Sequence, residues 1–383
     1  MIRKRIGILT GGGDVPPLNT VIASALERSN EKKIQLIGFL YGWQGVLEQN
    51  FVNLSNAKIN RSIGGTILKS SRVNLRKVKN AKEKVEKSLS SLGVDGLIVI
   101  GGDDTLSNAF LLRNIPQVLI SKTIDNDVGI NNRERMVNYF TLGYPTAAEK
   151  IASYISLNEG LRTTAYSHER IIVVESMGMH AGWLALASSF GNPDFIIIPE
   201  FPLNYDNLLE RVIEKYRKQK HLIIVAAEGS KWQNGKYISA NVNMKDNFGH
   251  PKFRGCAEVL SNKMKGDLKK IFGSINVNSV NPSYLYRSGN PNKTDINAAI
   301  KLGISAVNSL SNKLSEPVFL SLSFKNKDFV VEDFFIKDLN NIEEFHRFVD
   351  NKYYDSEIFY STSKFKNYLS KIIKEYKKVN YNL

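Results

Sequence analysis

Short apolar runs alternate with segments of helical periodicity along the first half of the chain. The runs have the length and the isoleucine, leucine and valine content of buried strands, and they lie at 5–10, 34–40, 96–102 and 116–121. The segments between them space their apolar residues as helices do, and they lie near 18–30, 81–93 and 104–114. Strand, loop and helix in repeated order predict a parallel sheet with helices on both faces.

The second half of the chain repeats this pattern. Apolar runs predict strands at 170–178, 194–200, 221–230 and 316–324, and helices are expected at 180–191, 205–219, 254–266 and 295–310. We therefore expect an α/β fold in which two Rossmann-like parallel-sheet halves face each other across a cleft. The polar stretch 231–253 is expected to be a loop or insertion, and the basic tail from about 340 a surface helix or helical hairpin.

Composition narrows the class of protein without indicating a reaction. The chain has 383 residues, of which 42% are hydrophobic and 23% charged, as in ordinary globular proteins. Its one cysteine, Cys256, rules out an intrachain disulfide and a cysteine-based metal cluster. The sequence has no run of eighteen apolar residues, and its start lacks the long apolar region of a signal peptide. We therefore expect a cytoplasmic enzyme without a membrane span.

The formal net charge of the chain is +15. Such a charge attracts nucleic acid, membrane surfaces or small anions, but the lysines are spread out, without a basic run of five or six. A solvated lysine-rich surface is the first interpretation of this charge. Attraction of phosphorylated small molecules is the second, and nucleic-acid binding is the least favoured.

Glycine and aspartate follow three of the predicted strands directly. These clusters are "GGGD" at 11–14, "GGDDT" at 101–105 and "KTIDND" at 122–127. Ligands of open α/β sheets bind beyond the carboxyl ends of the strands, so three such ends predict a binding site. The glycine loop at 11–13 suits either a tight turn or an anion. It is neither a Walker A loop nor a dinucleotide-binding fingerprint.

Two further clusters allow a functional and a purely structural interpretation. Asp103 and Asp104 supply the hard oxygen ligands that suit Mg²⁺ held largely by substrate phosphates, or one of them simply caps a helix. "GGTILKSSR" at 64–72 ends in Arg72, whose planar guanidinium suits a phosphate. An ordinary surface arginine is the other interpretation.

The order of these motifs resembles the phosphofructokinase family. The series "GGGD…N", "GGT…SSR", "GGDDT", "KTIDND", "ESMG", "AAEG" and "YLYRSG" runs through roughly residues 3–325. The resemblance implies transfer of a phosphoryl group to the 1-hydroxyl of fructose 6-phosphate. It implies Mg²⁺ as cofactor, no nucleic-acid or membrane partner, and a homodimer or homotetramer.

The resemblance also implies roles for individual residues. Asp125 corresponds to the general base, and the other residues expected around the reacting groups are Lys122, Thr123 and Asp127. The residues expected at the phosphoryl donor are Gly12, Gly13, Arg72 and Asp104, with Asp103 at Mg²⁺. The residues expected at fructose 6-phosphate are Arg170 (from a neighbouring subunit), Met177, Gly178, Glu228, Tyr284 and Arg287. The expected bounds are 1–140 with part of the C-terminal region for the donor half, 141–310 for the sugar half, and 311–383 for a C-terminal strand and basic tail that pack on the N-terminal half.

Asp104 and Lys122 favour pyrophosphate as the donor. By resemblance, ATP users commonly carry glycine at the position of Asp104, and many bacterial ones carry glycine at that of Lys122. Asp104 adds bulk and negative charge where the α-phosphate of a nucleotide would run. Lys122 adds a cation that compensates a small tetra-anion and favours the ionised Asp125. An ATP-dependent enzyme stays open, because some ATP users resemble the chain at Lys122.

The chain departs from the family pattern at two positions. Met179 replaces an arginine that adds positive charge near the transferring phosphate, and Pro17 replaces a glycine and removes an N–H donor. Three interpretations follow: a slower enzyme, a shifted donor site, or a non-catalytic protein that has kept the sugar-phosphate site. Lys236 or Lys245 could supply a replacement cation.

Overall fold

The computed structural model describes residues 4–71, 73–129, 131–132, 135–157, 159–239, 255–312, 314, 316–336, 344 and 346–376. The chain divides into two compact units. Unit 1 comprises Met1–Thr146 and Arg287–Arg347, and unit 2 comprises Ala147–Tyr286 and Phe348–Leu383.

The strands of the described residues are short and follow the chain in this order: β1 Arg5–Thr10, β2 Gln35–Phe39, β3 Phe51–Asn53, β4 Gly96–Gly101, β5 Gln117–Thr123, β6 Asn131–Asn132, β7 Arg135–Met136, β8 Leu142–Gly143, β9 Arg170–Ser176, β10 Phe195–Ile197, β11 Leu222–Ala227, β12 Asn276–Val280, β13 Val318–Lys325, β14 Asp328–Phe335, β15 Tyr354–Asp355 and β16 Tyr360–Ser361. The helices are α1 Leu18–Glu31, α2 Trp43–Glu48, α3 Ala81–Ser91, α4 Asp103–Ala109, α5 Tyr144–Ile155, α6 Arg162–Ser167, α7 Trp183–Ala187, α8 Tyr205–Gln219, α9 Cys256–Phe272, α10 Lys293–Ser311 and α11 Ser363–Leu369.

Unit 1 is built on a sheet whose strand order is β14-β13-β5-β4-β1-β2-β3, with β8 added to β5. The central strands β13, β5, β4, β1 and β2 run parallel, whereas the edge strands β3 and β14 are antiparallel to their neighbours. Strand β4 is buried along its whole length, as expected for a parallel strand covered on both faces. The residues that follow β4 therefore leave the sheet at the carboxyl ends of its parallel strands, between those that follow β1 and β5. This end of the sheet is called its carboxyl edge below.

Unit 2 is built on a smaller sheet of order β10-β11-β9-β12, in which all strands run parallel. Strands β9 and β11 are the central pair and are almost wholly buried. The core on one side of this sheet is completed by α8 and α9, through side chains such as Leu208, Val212, Leu260 and Met264. Strand β9 ends at Ser176 and β11 at Ala227, so the following residues leave the same edge of the sheet.

The predicted fold class is confirmed: each unit is an α/β assembly built on a mostly parallel sheet. That the two sheets face each other across a cleft stays a prediction. The expected bounds are wrong at two points, because α10 belongs to unit 1 rather than to the second half, and the described part of the tail from Phe348 belongs to unit 2. Strand β13 does pair with β5 of the N-terminal half.

The tail is more than a surface helix. It contributes α11, which buries Phe365, Tyr368 and Leu369, and Phe365 and Tyr368 pack against the ring of Trp183. Aromatic residues every three or four positions therefore attach this segment to the core of unit 2.

Among the described residues, no helix combines the length and the apolar character that a membrane span requires.

Candidate active site

The three polar strand ends meet at the carboxyl edge of the sheet of unit 1. Strand β1 lies between β2 and β4, and β4 pairs with β5 in register, Gly101 opposite Ser121. The main-chain N–H of Gly11, just after β1, donates to the carbonyl of Ile100 in β4 over 3.0 Å. The glycine loop, the "GGDDT" turn and the "KTIDND" turn are thus neighbours, as predicted.

The glycines of the first loop are required by close approach. A Cβ on Gly11 would clash with the side chain of Thr105. Gly12 has a φ of 79°, in the left-handed region, and a Cβ there would lie 3.1 Å from the Nζ of Lys122. A Cβ on Gly13 would lie 3.0 Å from Nη1 of Arg287. The loop therefore brings its backbone against two cationic side chains.

A second loop, residues 64–71, holds the glycine loop in place. The hydroxyl of Ser70 donates to the carbonyl of Gly12 over 2.6 Å, and the hydroxyl of Thr10 donates to the carbonyl of Lys69 over 3.0 Å. Asn19 in α1 joins the same loop by donating to Ile63 and accepting from the N–H of Ile67. Arg72, which follows this loop in the sequence, lies outside the described residues.

Lys122 is a buried cation at the centre of this edge. Its side chain projects from the end of β5, the residue is 2% exposed, and its ammonium group donates to the carbonyl of Gly13. Burial of an ammonium group is costly unless polar groups surround it. Lys122 therefore places a positive charge against the glycine loop.

The turn that carries Asp125 is fixed by side chains of the turn and of the segment after it. The hydroxyl of Thr123 accepts from the N–H of Asp125 over 3.1 Å. Asn126 has a φ of 57°, a left-handed conformation that asparagine tolerates better than most residues. Its Oδ1 accepts from the N–H of Thr141 over 3.0 Å, and the hydroxyl of Thr141 donates to the carbonyl of Thr123 over 2.6 Å. The turn is thus held from three sides.

Three aspartates interact electrostatically around this turn. The pKa of Asp127 is raised to about 7, first by burial and then by the negative charges of Asp125 and Asp103, whereas His346 opposes the shift. Carboxylates close enough to affect one another in this way are stabilised by a cation between them or by protonation. The arrangement therefore favours a cationic ligand when all three are ionised.

Asp103 and Asp104 lie in the first turn of α4, where the helix dipole favours negative charge. Oδ1 of Asp103 is buried without a hydrogen bond in the described structure, and Oδ2 lies 3.1 Å from Nε2 of His346. Among the described residues no group of three or more histidines, cysteines, aspartates or glutamates is arranged to hold a metal by itself. A buried carboxylate oxygen nevertheless fits Mg²⁺, which usually takes one or two carboxylates and completes its shell with phosphates and water.

Arg287 lies at the same edge of unit 1. Its Nη2 is 4.0 Å from Oδ2 of Asp125, and both side chains are only about one-fifth exposed. Its Nη1 approaches Gly13, as described above. That Arg287 binds the 6-phosphate of the sugar stays a prediction, but its guanidinium also lies close to Asp125 and to Gly13 of the glycine loop.

In unit 2 the predicted sugar-binding turn is shaped by main-chain geometry. Gly178 has a φ of 131°, and a Cβ there would lie 2.6 Å from the carbonyl oxygen of Ala181, so only glycine fits. Its N–H donates to Oε1 of Glu228 over 3.3 Å, and the N–H of Glu228 donates to the carbonyl of Ser176 over 2.9 Å. Met177, Gly178 and Glu228 are therefore brought together, as the sequence predicts.

One other predicted sugar ligand, Arg170, lies apart from this turn. Arg170 begins β9 and donates to the hydroxyl of Thr164 over 2.9 Å, whereas Met177 follows the end of the same strand. The six residue steps from Arg170 to Ser176, the last residue of the strand, span about 20 Å, so Arg170 does not join Met177 within one chain. Tyr284 is 68% exposed, on a short 3₁₀ turn that precedes Arg287.

The two departures from the family pattern have different local consequences. Pro17 directly precedes α1 as its N-terminal cap, and its carbonyl accepts from the N–H groups of Thr20 and Val21; a proline without N–H is well tolerated at a helix start. Met179 is partly buried after the Gly178 turn. Of the two lysines considered as replacement cations, Lys236 is exposed in a turn of unit 2 and Lys245 lies outside the described residues.

Sequence reasoning missed two residues at this edge. His346 contacts Asp103, and Arg347 contacts the Asn126–Asp127 main chain. They belong to the tail segment "EFHRF", and a histidine and an arginine between phenylalanines are the only sequence signal there. Nothing in local spacing indicates that this segment returns to a turn about 220 residues earlier.

Comparisons with known proteins point to one family. The sequence profile of the family described as phosphofructokinase matches residues 5–310. A pyrophosphate–fructose 6-phosphate 1-phosphotransferase of Dictyoglomus thermophilum is 37% identical over 313 residues, which are 80% of this chain and 86% of that protein. An ATP-dependent 6-phosphofructokinase 3 of Streptomyces coelicolor is 36% identical over 313 residues, 80% of this chain and 87% of that protein.

Solved structures show the same fold. The pyrophosphate-dependent phosphofructokinase from Marinobacter aquaeolei superposes with a TM-score of 0.78 at 19% identity, covering 99% of this chain and 94% of that one. At this identity the likeness concerns the fold alone, and the sequence matches carry the assignment. Together with the ordered strand-end motifs, they show that the chain belongs to the phosphofructokinase family.

Proposed function

We propose that the protein transfers a phosphoryl group from pyrophosphate to the 1-hydroxyl of fructose 6-phosphate, in a reversible reaction that forms fructose 1,6-bisphosphate. The observation that carries the choice of donor is the presence of both Asp104 and Lys122 in this chain. The ammonium group of Lys122 is buried against the glycine loop, and Asp104 lies in the first turn of α4, which follows the neighbouring strand β4. A buried cation suits a compact, highly charged donor.

The reaction needs an ionised base and compensation of the phosphate charge. Asp125 accepts the proton of the sugar 1-hydroxyl as that oxygen attacks the transferring phosphorus, and the bond to the leaving phosphate breaks in line. Lys122 neutralises charge on the donor at the glycine loop. Arg287, 4.0 Å from Asp125, is placed to compensate charge between the base and the donor.

The metal has a defined place in this proposal. Asp103 would hold Mg²⁺ through its buried Oδ1, and Asp127 would contribute charge from the neighbouring turn. When bound, Mg²⁺ neutralises the donor phosphates and their developing charge. In unit 2, Glu228 accepts hydrogen bonds from sugar hydroxyls, and the Gly178 turn lets the backbone approach the sugar.

A donor-swap assay tests the proposal. Turnover of fructose 6-phosphate is measured with pyrophosphate and with ATP at equal Mg²⁺, and we expect pyrophosphate to give the higher kcat/KM. The Asp104→Gly variant is expected to improve ATP use, and Asp104→Asn, which keeps most of the bulk, is its matched control. An unchanged ATP affinity in Asp104→Gly would contradict the steric part of the argument.

ATP is the second candidate donor. It is favoured by the relatives of Streptomyces coelicolor and of Mycobacterium tuberculosis, which are called ATP-dependent and are 36% and 34% identical to this chain. Equal or better turnover with ATP would establish this alternative. Binding of fructose 6-phosphate in a calorimeter without turnover of either donor would instead indicate a non-catalytic sugar-phosphate-binding protein, which the loss of arginine at Met179 makes worth testing.

We also propose a homodimer or homotetramer that acts in the cytoplasm. Arg170 lies at the opposite end of β9 from Met177, which is consistent with a role of Arg170 in the sugar site of a neighbouring subunit. Light scattering of the purified protein tests the assembly. A monomer with full activity would remove that role from Arg170.

A further inference from the structure

A dipeptide near the C-terminus, His346–Arg347, lies on the turn that carries the catalytic carboxylates. The family profile ends at residue 310, so nothing in the family assignment gives this dipeptide a role. In the structure it belongs to unit 1, and His346 forms an antiparallel bridge with Val128. The N–H of Arg347 donates to the carbonyl of Asp127 over 2.8 Å. The tail thus adds a strand-like edge to the turn at residues 125–128.

The side chain of Arg347 is buried completely, with 0% of the residue exposed. Its Nε and Nη2 donate to the carbonyl of Asn126 over 3.0 and 2.8 Å. Nη2 also donates to Oδ1 of Asn126, and Nη1 donates to the carbonyls of Asn138 and Tyr139. One guanidinium therefore joins the turn to the segment that precedes β8.

These contacts matter because Asn126 has the left-handed conformation described above. A non-glycine residue in that region costs free energy and persists only when the surrounding structure stabilises it. Arg347 grips both the main-chain and the side-chain oxygen of Asn126. Since Asn126 stands between Asp125 and Asp127, the same hydrogen bonds fix the position of the main chain from which both carboxylate side chains extend.

His346 extends the contact to the third carboxylate. Its Nε2 lies 3.1 Å from Oδ2 of Asp103, and Asp103 belongs to α4 rather than to the turn. Consecutive residues of the tail therefore touch the two elements that carry the carboxylates. A two-residue connection of this kind fixes the separation of those elements within a narrow range.

We propose that Arg347 is a positioning residue for phosphoryl transfer, which sets the Asp125–Asp127 turn, and that His346 aligns Asp103 with it. The proposal rests on the proposed function, since it concerns the base and the metal carboxylate of that reaction. Arginine is needed because its planar fork donates in several fixed directions, whereas lysine is a point charge. A displacement of about 1 Å at a reacting group lowers the rate by roughly 10²-fold.

The test compares Arg347→Lys with a matched arginine at the other edge of the same sheet. Arg5 donates to the side chain of Gln35 and to the carbonyl of Leu92 at the amino end of β1, so Arg5→Lys also weakens a guanidinium bound to neutral acceptors. All proteins are assayed well below their melting temperatures. We expect kcat to fall 10- to 100-fold in Arg347→Lys with the KM for fructose 6-phosphate changed less than threefold, and both constants to stay unchanged in Arg5→Lys.

Variants of His346 test whether this residue aligns Asp103, and they leave the buried Arg347 in place. His346→Phe removes the polar contact with Asp103, whereas His346→Gln keeps a side-chain N–H donor. We expect a lower kcat and a higher Mg²⁺ requirement in His346→Phe, and recovery of most of the activity in His346→Gln. If His346→Phe and Arg347→Lys both keep the parent kcat while the parent is active, the proposal is overturned.

Hydrogen exchange of the unliganded proteins separates this inference from the proposed function. Arg347→Lys should accelerate exchange in peptides covering residues 120–128 and 138–143 and leave the β1–β2 region unchanged. A parent without turnover of either donor would contradict the proposed function. Hydrogen exchange at residues 120–128 would then still show whether Arg347 positions the turn. Unchanged exchange at 120–128 would refute the positioning role, whatever the activity of the parent.

Discussion

The two units carry similar sheets but equip the carboxyl ends of their strands differently. In unit 1 the edge is charged: Lys122 and Arg287 lie among the aspartates at 103, 125 and 127. In unit 2 the corresponding edge is shaped by the backbone of Gly178, next to the carboxylate of Glu228. The same architecture can thus supply compensation of charge or a shaped surface, depending on which residues follow the strands.

This difference agrees with what the two substrates would require. A phosphoryl donor carries several negative charges and reacts through a transition state that fixed cations and a metal stabilise. A sugar presents hydroxyl groups, which are recognised by hydrogen-bond acceptors at fixed positions. We therefore expect substitutions in unit 1 to lower kcat and those in unit 2 to raise the KM for the sugar phosphate.

The largest effect is expected for Asp125→Ser. Removing a general base costs about 10²–10⁴ in rate, because a serine hydroxyl is too weak a base to take up the proton of the attacking sugar hydroxyl. Steady-state kinetics should show a loss of kcat of about this size, with unchanged circular dichroism. Asp95→Ser is the control, because Asp95 accepts from the N–H of Arg5 at the opposite edge of the same sheet. Near-parent turnover in Asp125→Ser would exclude Asp125 as the base.

Lys122→Met should give the next largest loss. Methionine matches the length of the lysine stem but removes the charge at the glycine loop, and loss of one preorganised donor costs about 10²–10³ in kcat. Lys4→Met is the matched control, since the ammonium group of Lys4 also donates to a main-chain carbonyl, that of Leu310, over 2.6 Å. If Lys122→Met lowers kcat with ATP and pyrophosphate alike, the cation serves transfer itself rather than the choice of donor.

The sequence was sufficient to predict most of the buried parallel strands of both units. Buried runs such as 96–102 and 221–230 coincide closely with β4 and β11, because a parallel strand that is covered on both faces must be apolar throughout. The repeated order of strand, loop and helix also predicted that the strand-end motifs would lie close together. This prediction is confirmed by the proximity of Gly11 to Ile100 and of Lys122 to Gly13.

Other elements could not be read from local pattern. The helix predicted to stop at Gly266 continues to Phe272, because a glycine on an exposed helix face costs only about 1 kcal/mol. Helix α5 was not predicted, although Pro145 stands in its first turn, where proline is tolerated. The return of His346 and Arg347 to the turn at residues 125–128 depends on tertiary contacts across more than 200 residues, which sequence periodicity does not reveal.

Glu228→Gln tests the unit 2 side of the comparison. Glutamine keeps an oxygen that accepts from the N–H of Gly178, so the turn is preserved while the charge is lost. Charge-assisted hydrogen bonds contribute about 1.5–3 kcal/mol, and we therefore expect the KM for fructose 6-phosphate to rise about 10- to 100-fold with kcat within a factor of a few. Glu214→Gln, on an exposed face of α8, is the control. A large loss of kcat at constant KM would contradict the division between the units.

The smallest effect is expected in the stability of the metal-free protein. The pKa of Asp127 is raised from 3.8 to about 7, by burial first and then by the charge of Asp125. Between these values the folded protein binds more protons than the unfolded chain, so this group stabilises the fold at low pH and the stabilisation is lost as pH rises through about 7. Asp127→Asn removes the ionisation and should raise the melting temperature by a few degrees at pH 8 and by less at pH 5, relative to the parent. Glu86→Gln on the exposed face of α3, where Glu86 lies 4.0 Å from Lys82, should show no such dependence. A melting-temperature difference between Asp127→Asn and the parent that is the same at both pH values would mean that neither burial nor the neighbouring carboxylates raise the pKa of Asp127, and the contrast in charge between the two units would then be weaker.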